Sequence, residues 1–224
     1  SRPQMQAALN SSMQLFRATL KTGSDKVALF TFGNPYSVDL DFTDDFTEGL
    51  DPIWQWRVTQ KIQYSTDEAG LHLQASEENE ALGTLLVQGT KSLDYSYEAT
   101  ITPDPDAEAG LALIGGANNG FGAPVAGMGI SVKGNTLTLW ESINRERKEL
   151  ATLEIPSGSI KLSLQIKDGY RLQAIAELNG KQKNIGEEQD VRHLVPWGMG
   201  FRLGLVAKGP SHSSGHFQSV KIRY

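Results

Sequence analysis

A chain of 224 residues with 39% hydrophobic and 21% charged side chains holds enough apolar material for one large packed core and is too apolar to stay disordered. Its formal charge of -5 and the lack of any lysine or arginine stripe exclude a nucleic-acid surface, and no apolar run reaches the ~20 residues that span a bilayer. Without cysteine there is no disulfide, thiolate metal site or thiol nucleophile, which leaves the redox compartment open.

In chain order, residues 1–36 read differently from the rest. Met5, Ala8, Leu9, Met13 and Phe16 recur at roughly helical spacing, and the turn residues of 21–26 lead into an apolar run over 27–32 like the second arm of a hairpin. An N-terminal extension is therefore expected over 1–36, a short helix or hairpin or the tail of an upstream domain, closed by Gly33-Asn34-Pro35. From residue 40 onward short β-rich runs alternate with turn signals about every ten residues, the pattern of a sandwich over 37–224.

Residues 161–167 and 170–178 read as a hairpin through Asp168-Gly169, and Asn179-Gly180 turns the chain again, both dipeptides suiting type I′ turns. Lys133-Gly134-Asn135 turns 129–132 into 136–142. Alternation assigns faces, since successive strand side chains point to opposite sides. Leu162, Leu164 and Ile166 share one side, as do Tyr97, Ala99 and Ile101, and as do Phe201, Leu203, Leu205 and Ala207. Many half-buried strands of this kind specify an all-β fold of two antiparallel sheets packed face to face.

Asp44-Asp45-Phe46, the stretch Leu50-Asp51-Pro52-Ile53-Trp54-Gln55-Trp56-Arg57 and the closing Gly215-His216-Phe217-Gln218-Ser219-Val220-Lys221-Ile222-Arg223-Tyr224 carry a resemblance. With Leu85-Leu86-Val87-Gln88, Ala109-Gly110-Leu111-Ala112-Leu113 and Gly200-Phe201-Arg202-Leu203-Gly204-Leu205, the region from about 40 to 224 resembles the concanavalin A-like jelly-roll domain found C-terminal to the catalytic propeller of family 43 β-xylosidases and arabinofuranosidases. The resemblance implies a concanavalin A-like jelly-roll β-sandwich, an oligosaccharide or polysaccharide as ligand, a glycoside hydrolase catalytic domain as neighbour, and a bacterial periplasmic or extracellular location with the leader removed. It also implies a structural calcium ion, for which Asp44 and Asp45 are the side chains to examine.

Candidate site residues follow from alternation. Trp140 lines up with Thr136 and Thr138 rather than with Leu137 and Leu139. An aromatic on a polar face is either a platform for a sugar ring or a residue covered by a loop or by the N-terminal extension. Glu98, Arg202 and Arg57 also point away from their apolar neighbours and are candidates to hydrogen-bond sugar hydroxyls, or plain surface charges. Trp54 and Trp56 share a face with Val58 and are read as core in preference to stacking. The Asn118-Asn119-Gly120-Phe121-Gly122 stretch is a ligand-facing loop or a long turn.

Glycoside hydrolysis needs a carboxylate pair across the scissile bond. The nearest match to a Glu-x-Asp-x-Glu strand is Glu188-Gln189-Asp190-Val191-Arg192, whose last position is arginine, and Asp104, Asp106 and Glu108 read as an exposed proline-rich loop. His212 and His216 would share a metal only on a helix, against which Pro210 and Gly215 argue. The sequence thus favours a non-catalytic carbohydrate-binding or accessory domain using Trp140, Glu98, Arg202 and Arg57. The alternatives are a glycan hydrolase with an atypical carboxylate pair and a structural interaction domain.

Overall fold

The computed structural model describes residues 40–56, 61–77, 82–115, 126–194 and 200–224, which belong to one compact unit, Leu40–Tyr224. The extension expected over 1–36, Arg57 and the 118–122 loop lie outside the described residues. In chain order the strands are β1 (Phe42–Asp44), β2 (Tyr64–Asp67), β3 (Gly70–Gln74), β4 (Thr84–Gly89), β5 (Tyr95–Thr102), β6 (Glu108–Ile114) and β7 (Gly127–Lys133). There follow β8 (Thr136–Ile143), β9 (Glu146–Glu154), β10 (Ile160–Lys167), β11 (Arg171–Leu178), β12 (Lys181–Asp190), β13 (Arg202–Lys208) and β14 (Ser214–Arg223).

They form two antiparallel sheets, as the alternation requires. The eight-stranded sheet runs β12-β11-β10-β5-β14-β3-β2 with β1 also paired to β14, and the six-stranded sheet runs β4-β13-β6-β7-β8-β9. The first and last strands meet in register Phe42↔Ile222, so the ends of the unit are joined.

The core lies between the sheets. Tyr97, Ala99, Ile101, Leu162, Leu164 and Ile166 from one sheet are buried against Leu111, Leu113, Ile130, Leu137, Leu203 and Leu205 from the other. Each such aliphatic side chain stabilises the fold by about 1.5–3 kcal/mol relative to its exposed form. The intervening residues of β5, Ser96, Glu98 and Thr100, are half-buried and face outward.

The turns obey the φ constraint that their residues suggested. Asp168 and Gly169 have φ of 54° and 77°, and Asn179 and Gly180 have 52° and 72°, as type I′ requires. At Gly134-Asn135 the glycine alone has positive φ, 54°, the type II′ arrangement. A further type I′ turn joins β8 to β9 through Asn144 and Arg145, φ 53° and 72°. A left-handed arginine costs roughly 1–2 kcal/mol, and no glycine marks this hairpin.

Candidate functional site

The six-stranded sheet turns its second set of side chains away from the core, and near the centre that set is small. Gly110 and Ala112 of β6, Gly127 and Gly129 of β7 and Gly204 of β13 alternate there with the inward apolar residues. So flat a floor lets a large side chain lie down on it. The indole of Trp140 crosses onto β7, where a Cβ added to Gly129 would stand 2.6 Å from indole Cζ2 and 2.4 Å from Leu111 O. Leu82, Leu85, Val87, Ala112, Ile114 and Val206 join it in a second, smaller apolar cluster.

Alternation placed Trp140 on the correct face, but the open platform expected there is corrected: the ring is 0% exposed. The arginine guanidinium of Arg147 lies over it, 4.4 Å from the ring centroid. The long side chain reaches because β9 pairs Glu149 with Trp140 and Arg147 with Ser142, making Arg147 the diagonal neighbour of the indole. A cation so placed contributes about 0.5–2 kcal/mol.

Hydrogen bonds close the arrangement into a ring. Trp140 Nε1 donates to Ser131 Oγ at 2.9 Å, and Ser131 Oγ in turn donates to Glu108 Oε1. The guanidinium Nη2 of Arg147 donates to the same Glu108 oxygen and approaches Ser131 Oγ at 3.4 Å. Side chains from β6, β7, β8 and β9 are thereby locked together, and the Glu108–Arg147 pair is only 16% and 15% exposed. Glu108 is thus a partly buried residue at the start of β6, which corrects its reading as part of an exposed loop; the prolines at 103 and 105 precede it.

Beside this ring the sheet opens into a cleft of about 610 Å³. Ser131, Thr136 and Thr138 supply hydroxyls, and Lys133, Lys208, Arg147, Glu108 and Glu149 supply charge. Its size falls within the ~300–1,000 Å³ of small-ligand sites. Glu108 and Glu149 are the carboxylates here, carried on β6 and β9, and Glu108 already accepts from Arg147 and Ser131.

The other expected residues do not gather at this cleft. Arg202 is on the same sheet but at the opposite end of β13 from Lys208, where its Nη1 donates to Gln55 Oε1 at 2.7 Å. Glu98 faces outward from the eight-stranded sheet, paired with Lys161 at 3.9 Å, and so lies across the sandwich from Trp140. The expectation that Trp140, Glu98 and Arg202 form one site is therefore corrected. Trp54 is core, as expected, but Trp56 is 46% exposed.

Asp44 and Asp45, expected as calcium ligands, serve the local fold. Asp44 Oδ1 accepts from Phe46 N at 2.8 Å and its Oδ2 accepts from Trp54 Nε1 at 2.8 Å, which moors the buried indole. Asp45 Oδ1 accepts from both the amide and the hydroxyl of Thr47, and these bonds hold its carboxyl below the usual aspartate range. Among the described residues no three His, Asp or Glu side chains converge as metal ligands. Nor do His212 and His216 pair: His216 meets His72 across β14 and β3, ring centroids 4.3 Å apart and edge to face. Asp190 pairs with Arg192 on the surface.

Sequence reasoning missed Arg147, Ser131, Lys133 and Lys208. The signals that could have found them are the outward glycines and a turn at Asn144-Arg145, which together set Arg147 over Trp140.

The two packed antiparallel sheets have the concanavalin A-like jelly-roll fold. No protein-family model matches the sequence, and no curated protein matches it. Among solved structures, the GH43B protein of the Bacteroides ovatus xyloglucan PUL is similar at 17% identity and a TM-score of 0.59, over 81% of this chain and 38% of that one. A bifunctional GH43-CE protein of Bacteroides eggerthii gives a TM-score of 0.63 at 17% identity, over 81% and 27%. The exoplasmic/lumenal domain of VIP36 in its Ca2+-bound form gives 0.51 at 12%, over 79% and 87%. The chain spans less than two fifths of those two GH43 chains, and identities this low establish the fold alone.

Proposed function

We propose that this domain is a non-catalytic carbohydrate-binding module whose ligand lies in the cleft on the outer face of the six-stranded sheet. The observation that carries this reading is a sugar-sized hollow lined by the Thr136 and Thr138 hydroxyls and by charged side chains, beside the locked Trp140–Arg147 ring. A saccharide offers many hydroxyls that both donate and accept, and a rigid set of hydroxyls and charged groups answers them without ordering cost at binding. The indole's role is to seat Arg147 rather than to stack on sugar.

A second reading, that the domain supports a neighbouring glycoside hydrolase domain, draws on the GH43 proteins of similar fold, of which this chain matches only part. Both readings imply action on glycans outside the cytosol. Titration of the isotope-labelled domain with xylo- and arabino-oligosaccharides, followed by amide NMR, tests the first. Shifts clustered on β6 to β9 around Ser131 and Thr138 support it. Shifts clustered instead around Trp56 and Arg202, or none at all, overturn it.

A further inference from the structure

Resting on that reading of the cleft, we infer that its ligand is an acidic glycan, a sugar chain bearing an anionic substituent such as a uronate carboxylate or a sulfate ester. The argument begins with register. β13 pairs Lys208 with Glu108, and β7, in register Ala109↔Val132 with β6, brings Lys133 to the other side of the same residue. Two lysines thus flank one carboxylate on adjacent strands, the arrangement that ordinarily yields a cross-strand ion pair.

Here it does not. Glu108 turns along the sheet to Arg147 and Ser131 instead, and among the described residues neither Lys133 nor Lys208 forms an ion pair. Both lysines line the cleft. Their strands are two interstrand steps apart, roughly 10 Å, so two flexible four-carbon stems can close on a single anionic group or on neighbouring ones along a chain.

The charge count agrees. Lys133, Lys208 and Arg147 face Glu108 and Glu149 in the cleft, an excess of one positive charge on a chain whose formal total is -5. With Glu108 and Arg147 satisfied by each other, what a ligand meets is two lysines against Glu149. A neutral xylan-like chain would use the hydroxyls and leave both lysines solvated, whereas an acidic chain uses both sets.

The test is calorimetric titration of the whole chain with three probes of equal length: a neutral xylo-oligosaccharide, a uronate-containing oligosaccharide and an O-sulfated one. Each is measured at low and high salt, on the wild type, on Lys133→Met/Lys208→Met and on the control Lys221→Met from the other sheet. The expected result is tighter binding of one or both acidic probes, weakened about fivefold to tenfold in the double variant through the loss of two partly screened ion pairs, and weakened by salt. The neutral probe and the control should be unaffected, and the two acidic arms tell carboxylate from sulfate. Equal affinity for neutral and acidic probes, or acidic binding undiminished in the double variant, overturns this inference and leaves the cleft as a neutral-sugar site. Binding of no probe overturns both this inference and the function it rests on.

Discussion

The two sheets present very different outer faces. On the eight-stranded sheet Glu98 stands between Ser163 and Lys221, and Lys161 reaches Glu98 at 3.9 Å and Glu177 at 3.3 Å, a lattice of solvated charges standing up from the strands. On the six-stranded sheet the outward positions include glycines, and over them lie an indole, a guanidinium and a small apolar cluster. Glycine in a strand interior normally weakens it, so an outward run of glycines marks a place where another group approaches the backbone closely. The first face is generic surface; the second is a built layer.

Breaking the built layer should cost most at its centre. Trp140→Ala is expected to destabilise by about 3–5 kcal/mol, as for other buried aromatics, and to lower Tm by roughly 10 °C at the ~2–4 °C per kcal/mol of a domain this size; a loss below about 1 kcal/mol in calorimetry would mean the indole is not buried as described. Arg147→Ala leaves Glu108 without its cation and should cost about 1–3 kcal/mol. Adding Glu108→Gln should restore part of that, a coupling that a double-mutant cycle in urea reads directly.

Elsewhere, Asp44→Ala removes the acceptor for both Phe46 N and the Trp54 indole, with an expected loss of about 1–2 kcal/mol. Tryptophan fluorescence should report a loosened Trp54. On the first face, Glu98→Gln should change stability by less than about 0.5 kcal/mol; a larger effect would erase the contrast between the faces.

The histidine pair on the eight-stranded sheet adds a pH dependence. Burial first, and then His72, hold His216 below the ordinary histidine value of 6.5, against the opposing pull of Asp104 and Asp67. His72 Nε2 lies 3.2 Å from Asp67 Oδ2. With the folded value depressed, the unfolded chain binds more protons, so His216 costs the folded state nothing at pH well above 6.5 and progressively more as pH falls through 6.5. Urea midpoints at pH 7.5 and 5.5 should show this decline, and His216→Gln should flatten it; an unchanged slope in that variant would remove His216 from the account.

The inner half of the molecule was legible because its rules are local. Period-two rows such as Leu162, Leu164 and Ile166 identify the core face, and Asp168-Gly169 and Asn179-Gly180 name their own turns. Alternation likewise put Trp140 on the outer face. What alternation does not encode is which residue lies on top, because Glu108, Ser131 and Arg147 come together only through pairings among β6, β7, β8 and β9. The key hairpin was hidden as well, since Asn144-Arg145 adopts left-handed backbone without the glycine that advertises it. Glu98 and Arg202 were correctly read as outward, but which sheet a strand joins is decided by partners far along the chain, as when β6 takes β13 for its neighbour.

The Asn144-Arg145 bend has one more implication. Because it sets which β9 residue sits opposite which β8 residue, inserting or deleting a single residue there would flip Arg147 and Glu149 to the inner side. The layer over Trp140 is therefore under remote control: a change of length at a surface loop can remove the guanidinium from the indole while the groups on the central strands stay where they are.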